Sequence, residues 1–192
     1  MNNPPLIRLA TPDDAASIAN IYRPIVESTA ISFETVPPTD GEMRHRITDT
    51  LTAYPWLVLE QSGEIAGYAY GSRHRPRAAY QWSVETTVYV AEGYRRQGVG
   101  RRLYAALFSI LHSQGFAHAF AGIALPNAAS VALHEQMGFQ PIGVFRSIGF
   151  KFNEWQDVGW WQRPLSEGIV APSTPLTVSQ LQQRPAWSSH FG

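Results

Sequence analysis

The sequence predicts a mixed α/β or α+β sandwich, not a regular Rossmann alternation of strands and helices. Three observations carry this. Two amphipathic helical stripes precede the first strong strand run. The next two strand runs are joined by a short polar turn, which makes them an antiparallel pair. Only from Trp82 onward does the chain follow the order strand, loop, helix, strand, helix, strand.

After a short extended run at Leu6-Ile7-Arg8-Leu9, Thr11-Pro12-Asp13-Asp14 offers a capping hydroxyl, a proline at the first helical position and acids in the first turn. Ala15, Ile18, Ile21, Tyr22 and Ile25 then recur at helical spacing as a core-facing stripe. Thr39-Asp40-Gly41-Glu42 repeats the capping logic ahead of a second stripe, Met43, Ile47, Leu51 and Tyr54. Trp56 to Glu60 and Ile65 to Tyr70 are strand runs either side of the turn Gln61-Ser62-Gly63-Glu64. Gly71 to Ala79 reads as a polar loop holding Arg73, His74, Arg75 and Arg77, and Trp82 to Val90 as the next strand. Val99 to Gln114 is helical, with Leu103, Leu107, Ile110 and Leu111 on one face and Gly115 as its C-terminal stop. Ala117 to Ile123 is a buried strand, Ala128 to Met137 a helix closed by Gly138, and Phe139 to Phe145 a further strand.

From Ser166 onward periodicity disappears under proline, serine, threonine and glutamine. The expected organisation is therefore a domain of residues 1–165 and a tail of residues 166–192, extended or docked on the domain or on a partner subunit. Trp187 and Phe191 are costly to leave in water, which favours docking; a frayed terminus is the plain alternative.

The chain has 192 residues, 44% of them hydrophobic, enough to bury one substantial core. Fifteen basic and fifteen acidic residues cancel, so bulk charge gives no reason to expect nucleic acid or an anionic membrane as partner. Absence of cysteine excludes disulfides, thiolate metal sites and a cysteine nucleophile. The N-terminal residues lack the basic and apolar regions of a leader, and no apolar run approaches the length of a membrane span, about 18 residues. The expectation is a cytoplasmic protein with a small-molecule partner. The six histidines show no ligand spacing, so no metal is expected.

The most informative segment is Arg95-Arg96-Gln97-Gly98-Val99-Gly100, between a strand and a helix. Glycines let backbone N–H groups approach an anion, and a helix N-terminus adds about half a positive charge. Arg95, Arg96 and Arg101 add fixed charge, so a pyrophosphate fits here. Taken alone, the glycines are read equally well as a tight connection. A P-loop is excluded by the missing Gly-Lys-Ser/Thr, and a dinucleotide fingerprint by Leu103 where a third glycine belongs.

Arg-x-x-Gly-x-Gly after a strand resembles the acetyl-CoA pyrophosphate loop of the GNAT superfamily of N-acetyltransferases. Leu125-Pro126-Asn127 through His134-Glu135-Gln136-Met137-Gly138-Phe139 is similar to that superfamily's later signature. Three further runs resemble its phosphinothricin acetyltransferase branch: Tyr54 to Val58, Ala79 to Val90, and Gly149-Phe150-Lys151 with Trp155 to Gly159. The likeness spans Ile7 to about Pro164. It implies a mostly antiparallel twisted sheet with splayed central strands, flanked by helices, and acetyl-CoA as cosubstrate. Residues Val88, Tyr89 and Val90 would line the pantetheine, Arg95, Arg96, Gln97, Gly98, Val99, Gly100 and Arg101 would hold the pyrophosphate, and Asn127 and Ser130 would contact the arm. Members of the branch acetylate the α-amine of glutamate-like analogues, namely phosphinothricin, methionine sulfoximine or sulfone, and arsinothricin, as detoxification. The resemblance also implies a homodimer.

An α-ammonium must lose a proton before it attacks a thioester, so a base is required. Glu85, an acid out of character in a strand of β-branched and aromatic residues, stands where the family's catalytic glutamate falls; a solvated strand carboxylate is the plain alternative. Strand alternation puts Thr87 and Tyr89 on its face. His134 stands where many members have a tyrosine that protonates the departing thiolate, and can serve as acid or base; as a lone helix histidine it would be structural. Arg75 and Arg77 suit a substrate carboxylate and an anionic head, with Arg73 a further candidate. Phe33 and Thr35 resemble the family's substrate-side segment, and Lys151 and Trp155 are read as pocket wall or dimer contact. Two other readings stay open: a GNAT enzyme for a peptide N-terminus or another small amine, with a polyamine disfavoured by the arginine loop, and a non-catalytic acyl-CoA-binding module.

Overall fold

The computed structural model describes residues 4–166, 168 and 171–191; of the tail, residues 167, 169, 170 and 192 lie outside the described residues. A single seven-stranded sheet is ordered β1-β2-β3-β4-β5-β7-β6. Its strands are β1 (Leu6–Leu9), β2 (Trp56–Gln61), β3 (Glu64–Arg73), β4 (Ser83–Val90), β5 (His118–Leu125), β6 (Gln140–Lys151) and β7 (Glu154–Pro164). Every neighbouring pair is antiparallel except β4 with β5. Helices α1 (Ala15–Ser28) and α2 (Asp40–Leu51) cover one face, and α3 (Val99–Gln114) covers the other. Helix α4 (Ala128–Gln136) follows β5, and a short α5 (Val178–Gln182) lies in the tail.

Strand alternation feeds two cores. Leu57, Leu59, Ala69 and Val84 meet Leu103, Leu107, Ile110 and Leu111 of α3. On the opposite face Val58, Tyr68 and Trp56 meet Ile18, Tyr22, Ile25, Met43 and Ile47. Local signals set the helix ends. Glu42 N–H donates to the Thr39 hydroxyl while Thr39 N–H donates to the Glu42 carboxylate at 2.7 Å, a complete capping box for α2. Gly98 at φ +79° and Gly115 at φ +97° bracket α3 in the left-handed region, where a side chain would be strained.

Several expectations are corrected. Gly71 to Arg73 are not loop: they continue β3 and pair with Thr86, Glu85 and Val84, because a full-length partner strand outweighs the weak strand preference of glycine and serine. The strand expected at Phe139 to Phe145 runs on to Lys151 and turns at Phe152 and Asn153, both at positive φ as a two-residue hairpin requires, into β7, which periodicity did not predict. Within β6 the register shifts around Ser147, whose N–H donates to Asp157 Oδ1 at 2.8 Å while Arg146 donates to Oδ2 at 2.6 Å. Residues 171–191 pack on their own chain. Leu181 is buried in the α3 core, with Leu176, Trp187 and Phe191 against it, and the Ser109 hydroxyl lies 2.7 Å from His190 Nδ1.

Candidate active site

The sheet opens where its only parallel pair stops pairing. Strands β4 and β5 share the rungs Ser83–His118, Val84–Ala119 and Glu85–Phe120, and no rung after these. Residues 86 to 90 keep β3 on one side, so their other backbone edge faces the gap. Val88, Tyr89 and Val90 lie along that edge. Thr86 stands at the fork, buried, its hydroxyl donating to Phe120 O at 3.4 Å.

Glu85 occupies the last paired rung, on the α1–α2 face of the sheet, half-buried. Its Oε1 lies 3.0 Å from His74 Nδ1. Burial raises the carboxyl above its ordinary pKa, while the His74 hydrogen bond and the nearby Arg75 charge act in the opposite direction. His74 is stacked on Phe120 at 4.5 Å between centroids and meets Tyr80 and Trp160 edge-on. Gly122 leaves room for the Trp160 indole, since a Cβ there would fall 3.3 Å from the ring. Arg75 and Arg77 are exposed and line, with Pro76 and Tyr80, an open cleft of about 310 Å³. Arg73 is used differently: its guanidinium donates to the carbonyls of Arg75 and Pro76 and so folds the loop.

Thr87 follows on Glu85's face, its side chain beside the Tyr70 hydroxyl. Tyr70 belongs to a second, smaller cavity of about 150 Å³ walled by Tyr22, Trp56 and Tyr68, with Arg46 at its edge held by Glu34 at 2.7 and 2.9 Å. Phe33 and Thr35 lie on the connector between α1 and α2; the Phe33 ring rests on Gly149 of β6. That connector is anchored by Lys151, buried at 6% exposure, whose ammonium donates to Val26 O and Ser32 O, each at 2.7 Å. Lys151 is thus a clamp within the chain, while Trp155 is exposed on the β6–β7 hairpin.

At the other end of the gap, Arg95, Arg96 and Arg101 are exposed around the start of α3. Arg96 at φ +60° and Gly98 at φ +79° curl the loop, and Gln97 Nε2 donates to Gly93 O at 2.8 Å. The first N–H groups of α3 have no side-chain cap and face this loop. Gly100 serves packing, since a Cβ there would meet Leu133 of α4 at 3.0 Å. Asn127 caps α4, its Oδ1 accepting from Ser130 N–H at 3.1 Å, which leaves its amide N–H groups for a ligand.

His134 is apart from the His74–Glu85 pair. It is buried, with Nδ1 donating to Ser130 O at 2.7 Å and Nε2 accepting from the Tyr104 hydroxyl at 2.8 Å. Burial lowers its pKa, so the neutral imidazole is favoured. Tyr104, fully buried on α3, also reaches Thr86, so Thr86, Tyr104, His134 and Ser130 form one polar line beneath the fork.

Residues 7–160 match the family described as "Acetyltransferase (GNAT) domain". The chain belongs to the GNAT acetyltransferase family. It is an acetyl-CoA-dependent N-acetyltransferase by that membership, and the fork is the GNAT splay that the sequence resemblance implied. Among relatives, the phosphinothricin N-acetyltransferase of Streptomyces viridochromogenes is 40% identical over 170 residues, 88% of this chain and 92% of that one. The L-methionine sulfoximine/L-methionine sulfone acetyltransferase of Salmonella typhimurium is 33% identical over 162 residues, 84% of this chain and 95% of that one. Among solved structures, the GNAT superfamily phosphinothricin acetyltransferase of Sinorhizobium meliloti in complex with AcCoA superposes with a TM-score of 0.83 at 34% identity, covering 88% of this chain and 93% of that one.

Within this GNAT chain, sequence reasoning missed two partners. His74 was placed only as a loop residue, although the register that sets Ser72 opposite Glu85 brings residue 74 to the same face. Tyr104 was hidden beside the Leu103 stripe; a tyrosine among buried leucines is itself a signal that its hydroxyl has a partner.

Proposed function

We propose that the chain acetylates the α-amine of a small glutamate-like amino-acid analogue, phosphinothricin, methionine sulfoximine or sulfone, or arsinothricin, by direct attack in a ternary complex, and so detoxifies it. One observation carries this reading. A half-buried carboxylate with a raised pKa sits at the apex of the fork, beside an open cleft lined by two arginines. Acetyl-CoA, when bound, supplies the acetyl group as a thioester. The loop at 95–101 and the edge of β4 would hold it, with Asn127 and Ser130 on the far side of the gap. Arg75 and Arg77 would pair the substrate's carboxylate and head, with Thr87, Phe33 and Thr35 at its side.

Glu85 takes the ammonium proton, directly or through a water, which frees the lone pair that attacks the thioester carbonyl; as the amide forms and the C–S bond breaks, the nitrogen's second proton leaves with the CoA sulfur as free thiol. His134 enters as a neutral imidazole. Its burial and its two occupied nitrogens support a role in holding the Tyr104 hydroxyl, not in acting as an imidazolium acid.

The test is thiol release from acetyl-CoA with L-phosphinothricin, L-methionine sulfoximine, L-methionine sulfone, arsinothricin, glutamate and spermidine. Turnover on one of the first four with spermidine inert is expected, and Glu85→Gln lowers kcat by about 100-fold or more. Acetyl-CoA binding without turnover on any of the panel would remove the substrate assignment.

The same reading places the enzyme in the cytoplasm; among the described residues no helix is long and apolar enough to cross a membrane. It also makes it a homodimer. Strand β6 is a sheet edge, and Ile142, Phe145, Ile148, Phe150, Phe152 and Trp155 stand exposed along the β6–β7 hairpin, an apolar surface that a second copy would cover. Light scattering on the wild type and on Phe150→Asp tests this: a dimer that becomes a monomer is expected.

A further inference from the structure

We propose that His74 is the positioning residue of the base: its Nδ1–H donates to Glu85 Oε1, fixing the carboxylate and leaving Oε2 as the oxygen that receives the substrate's proton. This rests on the reading of Glu85 as base. The geometry is specific. A carboxylate only accepts, so the 3.0 Å contact places the proton on Nδ1 and fixes the tautomer. The ring cannot swing away: its side chain is only 12% exposed, lies flat on Phe120 with an interplanar angle of 13°, and is bounded edge-on by Trp160 and Tyr80. The backbone is held on both sides, by the β3–β4 ladder up to Arg73 and by the Arg73 guanidinium on the carbonyls of Arg75 and Pro76.

The other titratable or charged groups around the pair are Arg75 of the loop, Tyr80 of the following turn and Tyr70 of β3, whereas β5 and β7 present Phe120 and Trp160. Among these, His74 alone hydrogen-bonds the carboxylate. Without it, burial would act on Glu85 with less opposition, and the base would be protonated over a wider pH range. It would also be free to turn about χ2. Positioning and ionisation are therefore two effects of one bond, and a variant separates them from the stacking role of the ring.

The experiment uses the full-length protein and four variants. His74→Phe keeps the stack on Phe120 and removes the donor; His74→Asn restores a donor near the place of Nδ1 without the stack; His74→Gln offers one near Nε2; Glu85→Gln removes the base. Two readouts are taken: the pH dependence of kcat/KM with L-phosphinothricin and acetyl-CoA, and the carbon-13 titration of the Glu85 carboxyl, which needs no substrate. In His74→Phe the acid limb and the carboxyl midpoint are expected to rise together by about one pH unit, a tenfold loss of ionised base on the acid side. His74→Asn is expected to recover most of that shift and His74→Gln little of it. An unshifted midpoint in a folded His74→Phe, with Glu85→Gln inactive, overturns the role of His74 and leaves the base intact. Full activity in Glu85→Gln would overturn both.

Discussion

Replacing Lys151 by methionine tests how the connector between α1 and α2 is held. The ammonium makes two hydrogen bonds of 2.7 Å, to Val26 O in the last turn of α1 and to Ser32 O in the connector. Hydrogen bonds from a charged donor contribute about 1.5–3 kcal/mol each, so the pair is worth about 3–6 kcal/mol before the cost of burying the charge. That cost is visible in the lysine's lowered pKa, caused by burial and partly offset by Glu34. A net loss of about 2–4 kcal/mol is expected, because methionine fills the space but leaves two carbonyls unpaired. At about 2–4 °C per kcal/mol for a chain of this size, the melting midpoint falls by about 5–15 °C. Urea denaturation is the assay, and the midpoint should shift at constant m. KM for the amine should rise as well, since Phe33 sits on the connector that is released. A loss below about 0.5 kcal/mol, the range of ordinary surface changes, would refute the clamp.

Gly149→Ala drives a Cβ into the Phe33 ring, so it should cost about 1–3 kcal/mol by overpacking and raise KM for the amine more than for acetyl-CoA; equal effects on both would point elsewhere. Truncation after residue 170 strips Leu176, Leu181, Trp187 and Phe191 from the α3 core and removes the Trp82–Ser173 and Ser109–His190 bonds; calorimetry should show a midpoint lower by several degrees. His134 has a folded pKa below its unfolded value of about 6.5, so its contribution is complete above that pH and is lost as pH falls through the folded value. Melting midpoints measured from pH 7 to 5 should therefore decline, less steeply in His134→Asn; an equal slope in the two proteins would remove His134 as the source, since carboxylates with lowered pKa values such as Asp14 and Glu34 lose their contribution only below about pH 5.

What could be read from the residues was what local chemistry decides. The bounds of α3, Val99–Gln114, were legible because a glycine stands at each end and an apolar stripe lies between them. Glu85 stood out because an acid is out of character in its strand. Pairings across the chain were not. His74 becomes a partner of Glu85 only through the β3–β4 register, and His134 finds Tyr104 only once α4 lies against α3. Strand β7 escaped because Trp155-Gln156-Asp157-Val158-Gly159-Trp160-Trp161 has no clean alternation; it pairs on both sides and carries the Asp157 hook for β6 on the way. Lys151 reads from the sequence as pocket wall or dimer contact, and its clamping role depends on the end of α1, distant in sequence.

The fork also acts as a ruler. From Glu85, on the last closed rung, to Val90 at the mouth of the phosphate loop is five residue steps along one strand, about 17 Å at the usual rise. On the proposed reading, a donor held by its phosphates at the start of α3 brings its acyl group to the amine beside Glu85 only if its arm spans that length. Small activated acyl compounds such as acetyl phosphate can satisfy the anion loop yet leave their carbonyl far from Glu85. On that reading, discrimination among donors would be set by strand length, independently of any residue that recognises the acetyl group itself.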